Sequence, residues 1–190
     1  MADPSTLGTA VLQDLLRTLR NYKALGERAI AQVADADLAA ASNAESNSVA
    51  VVVKHLAGNM RSRFTDFLTT DGEKPDRHRD DEFELHAALT RAELLAWWES
   101  GWRITLEAVE GLTPDDLLRT VTIRGEAMTV LQALNRQAAH YAYHVGQIVY
   151  LAKELTGGKW QSLSIPRGQS ARYAKGTFQQ GIVPKASPNT

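Results

Sequence analysis

Hydrophobic residues recur at every third or fourth position in four separate stretches of the chain, and polar residues fill most of the positions between them. An α-helix makes one turn in about 3.6 residues, which is close to the period of this pattern. The spacing therefore places the hydrophobic side chains on one face of a helix. In the first stretch the stripe includes Leu7, Val11, Leu15 and Leu19. The four predicted helices cover residues 4–33, 48–71, 90–111 and 129–157.

Capping signals support these boundaries. Asp3-Pro4 places an N-cap residue and a proline at the start of the first helix. The third and fourth helices each begin with a capping box, at Thr90-Arg91-Ala92-Glu93 and Thr129-Val130-Leu131-Gln132. Gly111 and Gly157 follow their last helical residues. Four helices of this length predict an all-α fold, a four-helix bundle.

The segment between the third and fourth predicted helices has a different pattern. Thr113-Pro114-Asp115-Asp116 is typical of a short helical turn. From Arg119 to Glu126, polar and β-branched residues alternate about a glycine. This alternation predicts a short extended segment or the arm of a hairpin, but not a sheet.

The chain changes character after the fourth predicted helix. Residues 157–190 are rich in Gly, Ser, Pro and Gln and carry five basic residues and no acidic one, which leaves a charge of −6 on the rest. We expect residues 157–178 to dock on the acidic body as an irregular strap. Its candidate anchors are Trp160, Leu163, Ile165, Tyr173 and Phe178. The predicted organisation is one domain over residues 1–178 and a flexible tail over 179–190.

The tryptophans of the third helix are predicted to fill the core. Trp98 and Trp102 lie four residues apart and so present one large apolar face. A second expectation is that this helix and the strap help to close a ligand pocket or a dimer interface.

Composition excludes several classes of function. The chain has no cysteine, which rules out disulfides, cysteine nucleophiles and thiolate metal ligands. The net charge of −1 and a pI near 6.5 give no overall attraction to nucleic acid or to an anionic membrane. Met1-Ala2-Asp3-Pro4 lacks the features of a signal peptide, and no apolar run approaches the roughly 18 residues of a membrane span. We therefore expect a cytoplasmic protein with no nucleic-acid or membrane partner.

The histidines suggest a metal site. His140 and His144 lie four residues apart, so their imidazoles project from one helix face and can reach one ion. His55 interrupts an apolar stretch of the second helix and needs a polar partner there. A shared metal would supply that partner, although a lone histidine in an apolar helix is more often a core residue satisfied in another way. The two remaining histidines are weaker candidates, because His78 lies in a charged loop and His86 near the start of a helix.

The residues beside these histidines limit the types of metal site that the sequence can form. In the zinc-protease motif HExxH a glutamate follows the first histidine as general base, whereas here Tyr141 follows His140. Three imidazoles would leave positions on the ion for water or a substrate atom, which is a catalytic type of site. Zinc, nickel, iron and copper all suit such ligands.

Three polar residues lie three or four positions from a predicted ligand, on the same helix face. They are Asn59, Arg136 and Gln147. Each is a candidate to orient a ligand from outside the coordination shell. The alternative for each is a polar residue on a helix surface or at the seam between helices.

Two stretches resemble a known superfamily. His55-Leu56-Ala57-Gly58-Asn59-Met60 and His140-Tyr141-Ala142-Tyr143-His144-Val145-Gly146-Gln147-Ile148 are similar to the DinB/YfiT-like metal-binding four-helix bundles. The resemblance extends over about residues 4–175 and is greatest to a branch of unassigned function. It implies that His55, His140 and His144 bind one divalent transition-metal ion, zinc or nickel in the first place, with water completing its shell.

The resemblance also implies a range of functions. Similar bundles include thiol-dependent transferases and isomerases and metal-dependent hydrolases, and many form homodimers. We therefore predict a metal-dependent enzyme on a small-molecule substrate, which activates either a low-molecular-weight thiol for transfer to an electrophile or water for hydrolysis. The alternative is a non-catalytic metal- or ligand-binding bundle that acts as a sensor or interaction protein.

Overall fold

The computed structural model describes residues 4–172 of the 190-residue chain. Its four long helices are α1 (Pro4–Ile30), α2 (Val49–Phe64), α3 (Arg91–Glu110) and α4 (Val130–Thr156). Two short antiparallel strands, β1 (Thr120–Ile123) and β2 (Glu126–Thr129), lie between α3 and α4. Short 3-10 turns lie at Asp35–Asp37, Asp80–Phe83, Pro114–Leu118, Gly157–Lys159 and Ser170–Arg172. The protein is thus mostly helical, with one small sheet.

Aromatic side chains form the centre of the core. Helix α2 packs mainly against α3, α1 packs mainly against α4, and α2 also contacts α4. Trp98, Trp102 and Tyr141 are each at most 1% exposed, and the Trp102 ring lies 5.5 Å from each of the other two. The prediction that both tryptophans fill the core is confirmed. Because the fold already buries them, they offer no apolar face to a dimer interface.

The predicted caps hold the helix ends. The capping boxes at Thr90 and Thr129 are both present, and Gly157 ends α4 with a φ of 57° that favours glycine. Ser48 caps α2 by accepting a hydrogen bond from the backbone N–H of Val51. The expected cap of α1, Asp3, lies outside the described residues.

The prediction that the second helix runs to just before Gly72 is wrong. Helix α2 ends at Phe64, because Thr65 has extended backbone angles and Asp66 turns the chain with a φ of 48°. Phe67 continued the hydrophobic pattern, but it reaches the core from this turn and contacts Phe64 at a ring separation of 5.2 Å. The first helix likewise ends at Ile30, three residues before the predicted Val33.

The segment between α3 and α4 was predicted to be extended or to form the arm of a hairpin, and the hairpin arm is confirmed, but the prediction that no sheet forms is wrong. The segment forms a hairpin, with Thr120 opposite Thr129 and Ile123 opposite Glu126. Arg124 and Gly125 form the two-residue turn, both with positive φ, which is the turn geometry that matches the twist of paired strands. The second strand was missed because it runs directly into the cap of α4.

The start of the strap packs on the end of α1. Trp160 and Leu163 are partly buried against the core, and the side chain of Gln32 exchanges two hydrogen bonds with the backbone of Gln161, at 2.7 and 3.1 Å. Ile165 is half-buried. The anchors Tyr173 and Phe178 lie outside the described residues, and the domain boundary at residue 178 stays a prediction.

No helix within residues 4–172 is both long and apolar enough to cross a membrane.

Candidate metal centre

Three histidines from two helices lie together in one cavity wall. His55 comes from α2, and His140 and His144 come from α4, where their four-residue spacing places both rings on the face toward α2. One ring nitrogen from each lies within 4.8 Å of those of the other two. The Nε2 atoms of His140 and His144 are 3.1 Å apart. The sequence pattern predicted this grouping.

Hydrogen bonds orient two of the three rings. Nδ1 of His55 lies 2.8 Å from Oε2 of Glu82, and Nδ1 of His144 lies 2.8 Å from Oε1 of Gln147. An ionised carboxylate and an amide oxygen only accept hydrogen bonds, so each Nδ1 carries the proton. In a neutral ring with this proton the lone pair is on Nε2, and this is the form that binds a metal.

His140 gives a direct test of whether the residues fit a metal ion. Its Nδ1 is buried without a hydrogen-bond partner among the described residues, and its Nε2 faces Nε2 of His144. A proton on Nε2 would leave Nδ1 as a buried, unpaired acceptor. A proton on Nδ1 would be a buried, unpaired donor and would set two lone pairs against each other at 3.1 Å, an arrangement that a cation shared by both nitrogens stabilises. This set of donors therefore fits a metal ion.

The distances fit an ion that binds all three rings after a small adjustment. Two nitrogens bonded to one ion at roughly 2.1 Å each lie no more than about 4.2 Å apart. The 3.1 Å pair meets this limit, and the 4.8 Å bound on the set exceeds it slightly. A modest side-chain rotation therefore suffices.

Burial disfavours protonation of His140 and His144. Burial, and to a lesser degree the nearby His144 and His55, lowers the pKa of His140 to about 3. Burial also lowers the pKa of His144, although the hydrogen bond to Gln147 opposes the shift. Neutral imidazole is the form that coordinates metal.

Glu82, which orients His55, was not predicted from the sequence. It lies on the 3-10 turn at Asp80–Phe83 and is 6% exposed. Burial alone would raise its pKa, but hydrogen bonds from His55 and Arg77 outweigh burial and lower it. One signal was available: Gly58 lies in the interior of α2, and a Cβ there would be 2.2 Å from Oε1 of Glu82. A glycine inside a helix often marks such a close approach.

Ion pairs connect this carboxylate to the loop that follows α2. Arg77 donates two hydrogen bonds to Glu82, at 2.8 and 3.0 Å, and also lies 3.5 Å from Glu73. Glu73 in turn accepts hydrogen bonds from Arg63 and from Arg124 at the hairpin turn. Burial, with the neighbouring Arg77 and Arg124, lowers the pKa of Arg63, and Glu73 opposes this.

Of the three residues predicted to orient ligands, one contacts a histidine and two contact other residues. Gln147 contacts His144, as described above. Asn59 is buried but accepts a hydrogen bond from the hydroxyl of Tyr141 at 3.5 Å, and Arg136 lies 4.0 Å from Glu126. Asn59 and Arg136 both line the cavity beside the histidines.

The other two histidines lie away from the centre. His78 is exposed, and His86 is exposed and pairs with Glu93 at 3.4 Å. Neither lines the cavity that contains the three clustered histidines. Tyr141, in the position of the protease glutamate, points into the core.

The cavity beside the histidines has a volume of about 490 Å³. Apart from Phe83, its remaining wall is polar and includes Asn47, Gln137 and Tyr143 in addition to several arginines. A cavity of this size is suited to a small molecule.

Comparison with known proteins identifies the family. No curated protein gives a significant match to the chain. A model of the family described as "Protein of unknown function (DUF1572)" matches residues 6–169. Because this match spans most of the sequence and includes all three clustered histidines, the chain belongs to the DUF1572 family.

Proposed function

We propose that this protein is a metal-dependent enzyme with the four-helix-bundle architecture of the DinB/YfiT-like superfamily. His55, His140 and His144 are the proposed ligands of one divalent ion, zinc or nickel in the first place and iron or copper as alternatives. The observation that carries the proposal is the convergence of three imidazoles in the wall of a cavity of about 490 Å³.

An open cavity favours a catalytic role over a purely structural one. Structural zinc sites are usually closed by four protein ligands, whereas catalytic sites keep three and leave a position for water or substrate. Three protein side chains converge here, and the space beside them is large enough for a small molecule.

The chain's own residues would orient the centre rather than supply the nucleophile. A bound divalent ion would lower the pKa of a thiol or of water. Glu82 and Gln147 fix which nitrogens of His55 and His144 face the cavity. The chain has no cysteine, and Tyr141 is fully buried with its pKa raised by burial, so it is a poor base.

A screen with metal as the variable tests the proposal. Electrophiles would be offered with several cellular thiols, and esters and amides without a thiol, to protein that is native, chelated or reloaded with zinc or nickel. We expect turnover to disappear on chelation, to return with metal, and to be absent in His140→Ala but present in His78→Ala, which alters an exposed histidine.

Two outcomes would change the conclusion. Turnover that survives complete metal removal would contradict the mechanism. Stoichiometric metal binding without turnover across the screen would favour the alternative, a non-catalytic metal- or ligand-binding bundle.

A further inference from the structure

Five arginine side chains line the cavity beside the three histidines. They are Arg63, Arg77, Arg79, Arg124 and Arg136. None of the described residues that line this cavity is acidic. Two neighbouring carboxylates, Glu73 and Glu82, pair with three of the guanidinium groups. The wall itself therefore presents guanidinium groups and no carboxylate, although Asp80 and Glu126 lie near two of these groups.

Two of these arginines have structural roles. The side chains of Arg63 and Arg77 are only 7% and 5% exposed. Arg63 also donates to the carbonyl of Gly72, and Arg77 is held by both Glu73 and Glu82. Their hydrogen-bonding capacity is therefore largely used within the protein.

Arg79 and Arg136 are different, because their nearest carboxylates hold them weakly. Both side chains are about half exposed. Arg79 lies 3.7 Å from Asp80, which is fully exposed, and Arg136 lies 4.0 Å from Glu126, which is 75% exposed. Exposed ion pairs at such distances contribute little free energy, so both guanidinium groups remain available to a ligand.

Arg124 lies at the cavity and has an unfavourable backbone conformation. It is the first residue of the hairpin turn and has a φ of 58°, a left-handed conformation that side chains other than those of Gly, Asn and Asp seldom adopt. A position of this kind costs of the order of 1 kcal/mol relative to glycine or asparagine. Its Nε donates to Glu73 at 2.8 Å, but the side chain is 58% exposed and lies in the cavity wall, so its terminal nitrogens can reach a ligand.

We infer that this cavity binds a small molecule bearing an oxyanion group, a carboxylate or a phosphate, which Arg79, Arg124 and Arg136 hold beside the histidines. The inference rests on the proposed function, because it names the substrate class of the same site. Guanidinium groups bind both oxyanions through paired, charge-assisted hydrogen bonds. The cationic wall would also attract such a molecule from solution.

Titration of metal-free protein with two simple anions tests the inference. Succinate and inorganic phosphate would be titrated calorimetrically at low ionic strength, after the chelator has been dialysed away, since a chelator is itself a polyanion. The variant is Arg124→Gln combined with Arg136→Gln. The control is Arg20→Gln combined with Arg103→Gln, which removes equal charge from exposed positions outside the cavity.

We expect at least one anion to bind the wild type, and the double variant to weaken that binding by about tenfold or more. The control pair should change it by less than about twofold. Binding of succinate alone identifies a carboxylate group, and binding of phosphate alone a phosphate group. Arg136→Gln by itself, which removes only a 4.0 Å pair, should also weaken binding without altering the thermal melt.

Absence of binding by both anions would overturn the inference. Binding that is equally strong in the double variant would overturn it as well. Because the measurement uses neither metal nor turnover, its failure is separate from that of the proposed function, and either can stand without the other.

Discussion

Two hydrogen bonds decide which nitrogens of the candidate centre face the cavity. Glu82 accepts from Nδ1 of His55, and Gln147 accepts from Nδ1 of His144, both at 2.8 Å. A carboxylate or amide in this position fixes the tautomer and the angle of the ring before any ion arrives. The affinity of the site should therefore depend on residues that do not touch the ion.

Replacing Glu82 with glutamine should weaken metal binding about 10- to 100-fold. Glutamine keeps an oxygen near His55 but removes the charge that strengthens the hydrogen bond, and it leaves Arg77 without its closest counter-ion. Competition with a chromophoric chelator measures the affinity. Glu84→Gln is the matched control, because Glu84 is exposed and lies two residues away. Equal affinities in the two variants would contradict this role of Glu82.

The metal-free protein should lose stability as pH falls below about 6.5. Folded His140 has its pKa lowered to about 3 by burial, whereas an unfolded histidine takes up a proton near pH 6.5. Between these values the unfolded chain binds a proton that the folded protein does not, so the free energy of unfolding falls with pH by up to about 1.4 kcal/mol per pH unit. Urea unfolding between about pH 7 and pH 4.5 measures the slope.

His140→Gln should reduce this slope, and the exposed control His78→Gln should leave it unchanged. A slope that is the same in all three proteins would show that the buried ring does not remain neutral in the folded state.

The three clustered histidines could be found from the sequence, but the residue that orients His55 could not. The four-residue spacing of His140 and His144 is a local signal, and His55 interrupts an apolar run. Glu82 lies in an acidic segment that is typical of a solvated loop, and only the fold turns this one carboxylate inward. Its contact with His55 spans 27 residues, which no periodicity encodes.

At the level of elements, one glycine lets the turn that contains Glu82 approach α2. A Cβ on Gly58 would be 2.2 Å from the Glu82 carboxylate, which its hydrogen bonds to His55 and Arg77 hold in place. We expect Gly58→Ala to displace this carboxylate and weaken metal binding about tenfold or more. This should occur although alanine favours a helix interior by roughly 1 kcal/mol.

Gly146→Ala provides the comparison within α4. Nothing lies within 4 Å of a Cβ at this position, so the substitution should raise the free energy of unfolding by about 0.5–1 kcal/mol and leave metal affinity unchanged. Unchanged metal affinity in Gly58→Ala would contradict the close approach of Glu82.

The hairpin turn depends on a carboxylate from the loop after α2. Asp71 accepts hydrogen bonds from the backbone N–H groups of Glu73, Arg124 and Gly125 at 2.7–2.8 Å. The bonds from Glu73 and Gly125 contribute most to lowering the pKa of Asp71 to about 2. Since an unfolded aspartate titrates near pH 3.9, this stabilisation is complete above about pH 4 and is lost toward pH 2.

Asp71→Ala should lower the free energy of unfolding by about 1–2 kcal/mol at neutral pH and remove the acid-dependent part of the stability. Amide hydrogen exchange at the hairpin turn should also become faster. Asp76→Ala, at an exposed position with one surface ion pair, is the control and should have little effect. An unchanged exchange rate in Asp71→Ala would contradict the role of Asp71 at the turn.

The ends of helices could be predicted where a capping motif sets them, but not where packing in the folded protein sets them. The boxes at Thr90 and Thr129 placed the starts of α3 and α4 correctly. The end of α2 was misplaced, because Phe67 extends the hydrophobic pattern while Asp66 takes a left-handed conformation that the pattern does not reveal. The strand β2 is only four residues long, too short for a clear alternation.

At the scale of the whole molecule, the core positions the candidate centre at the contact between α2 and α4. Trp98, Trp102 and Tyr141 fill the interior. The three clustered histidines, from α2 and α4, face a cavity. Homodimer formation, a cytoplasmic location and the lack of a nucleic-acid partner stay predictions. Metal binding by this arrangement of histidines does not depend on them.

The metal content of protein purified without a histidine tag shows whether the three histidines bind an ion. After incubation with zinc or nickel and removal of excess ion, elemental analysis should find about one ion per chain in the wild type and in His78→Ala. His140→Ala, with an intact thermal melt, should retain less than about a tenth of that amount. A folded wild type without stoichiometric metal, or a His140→Ala variant that keeps it, would contradict the account.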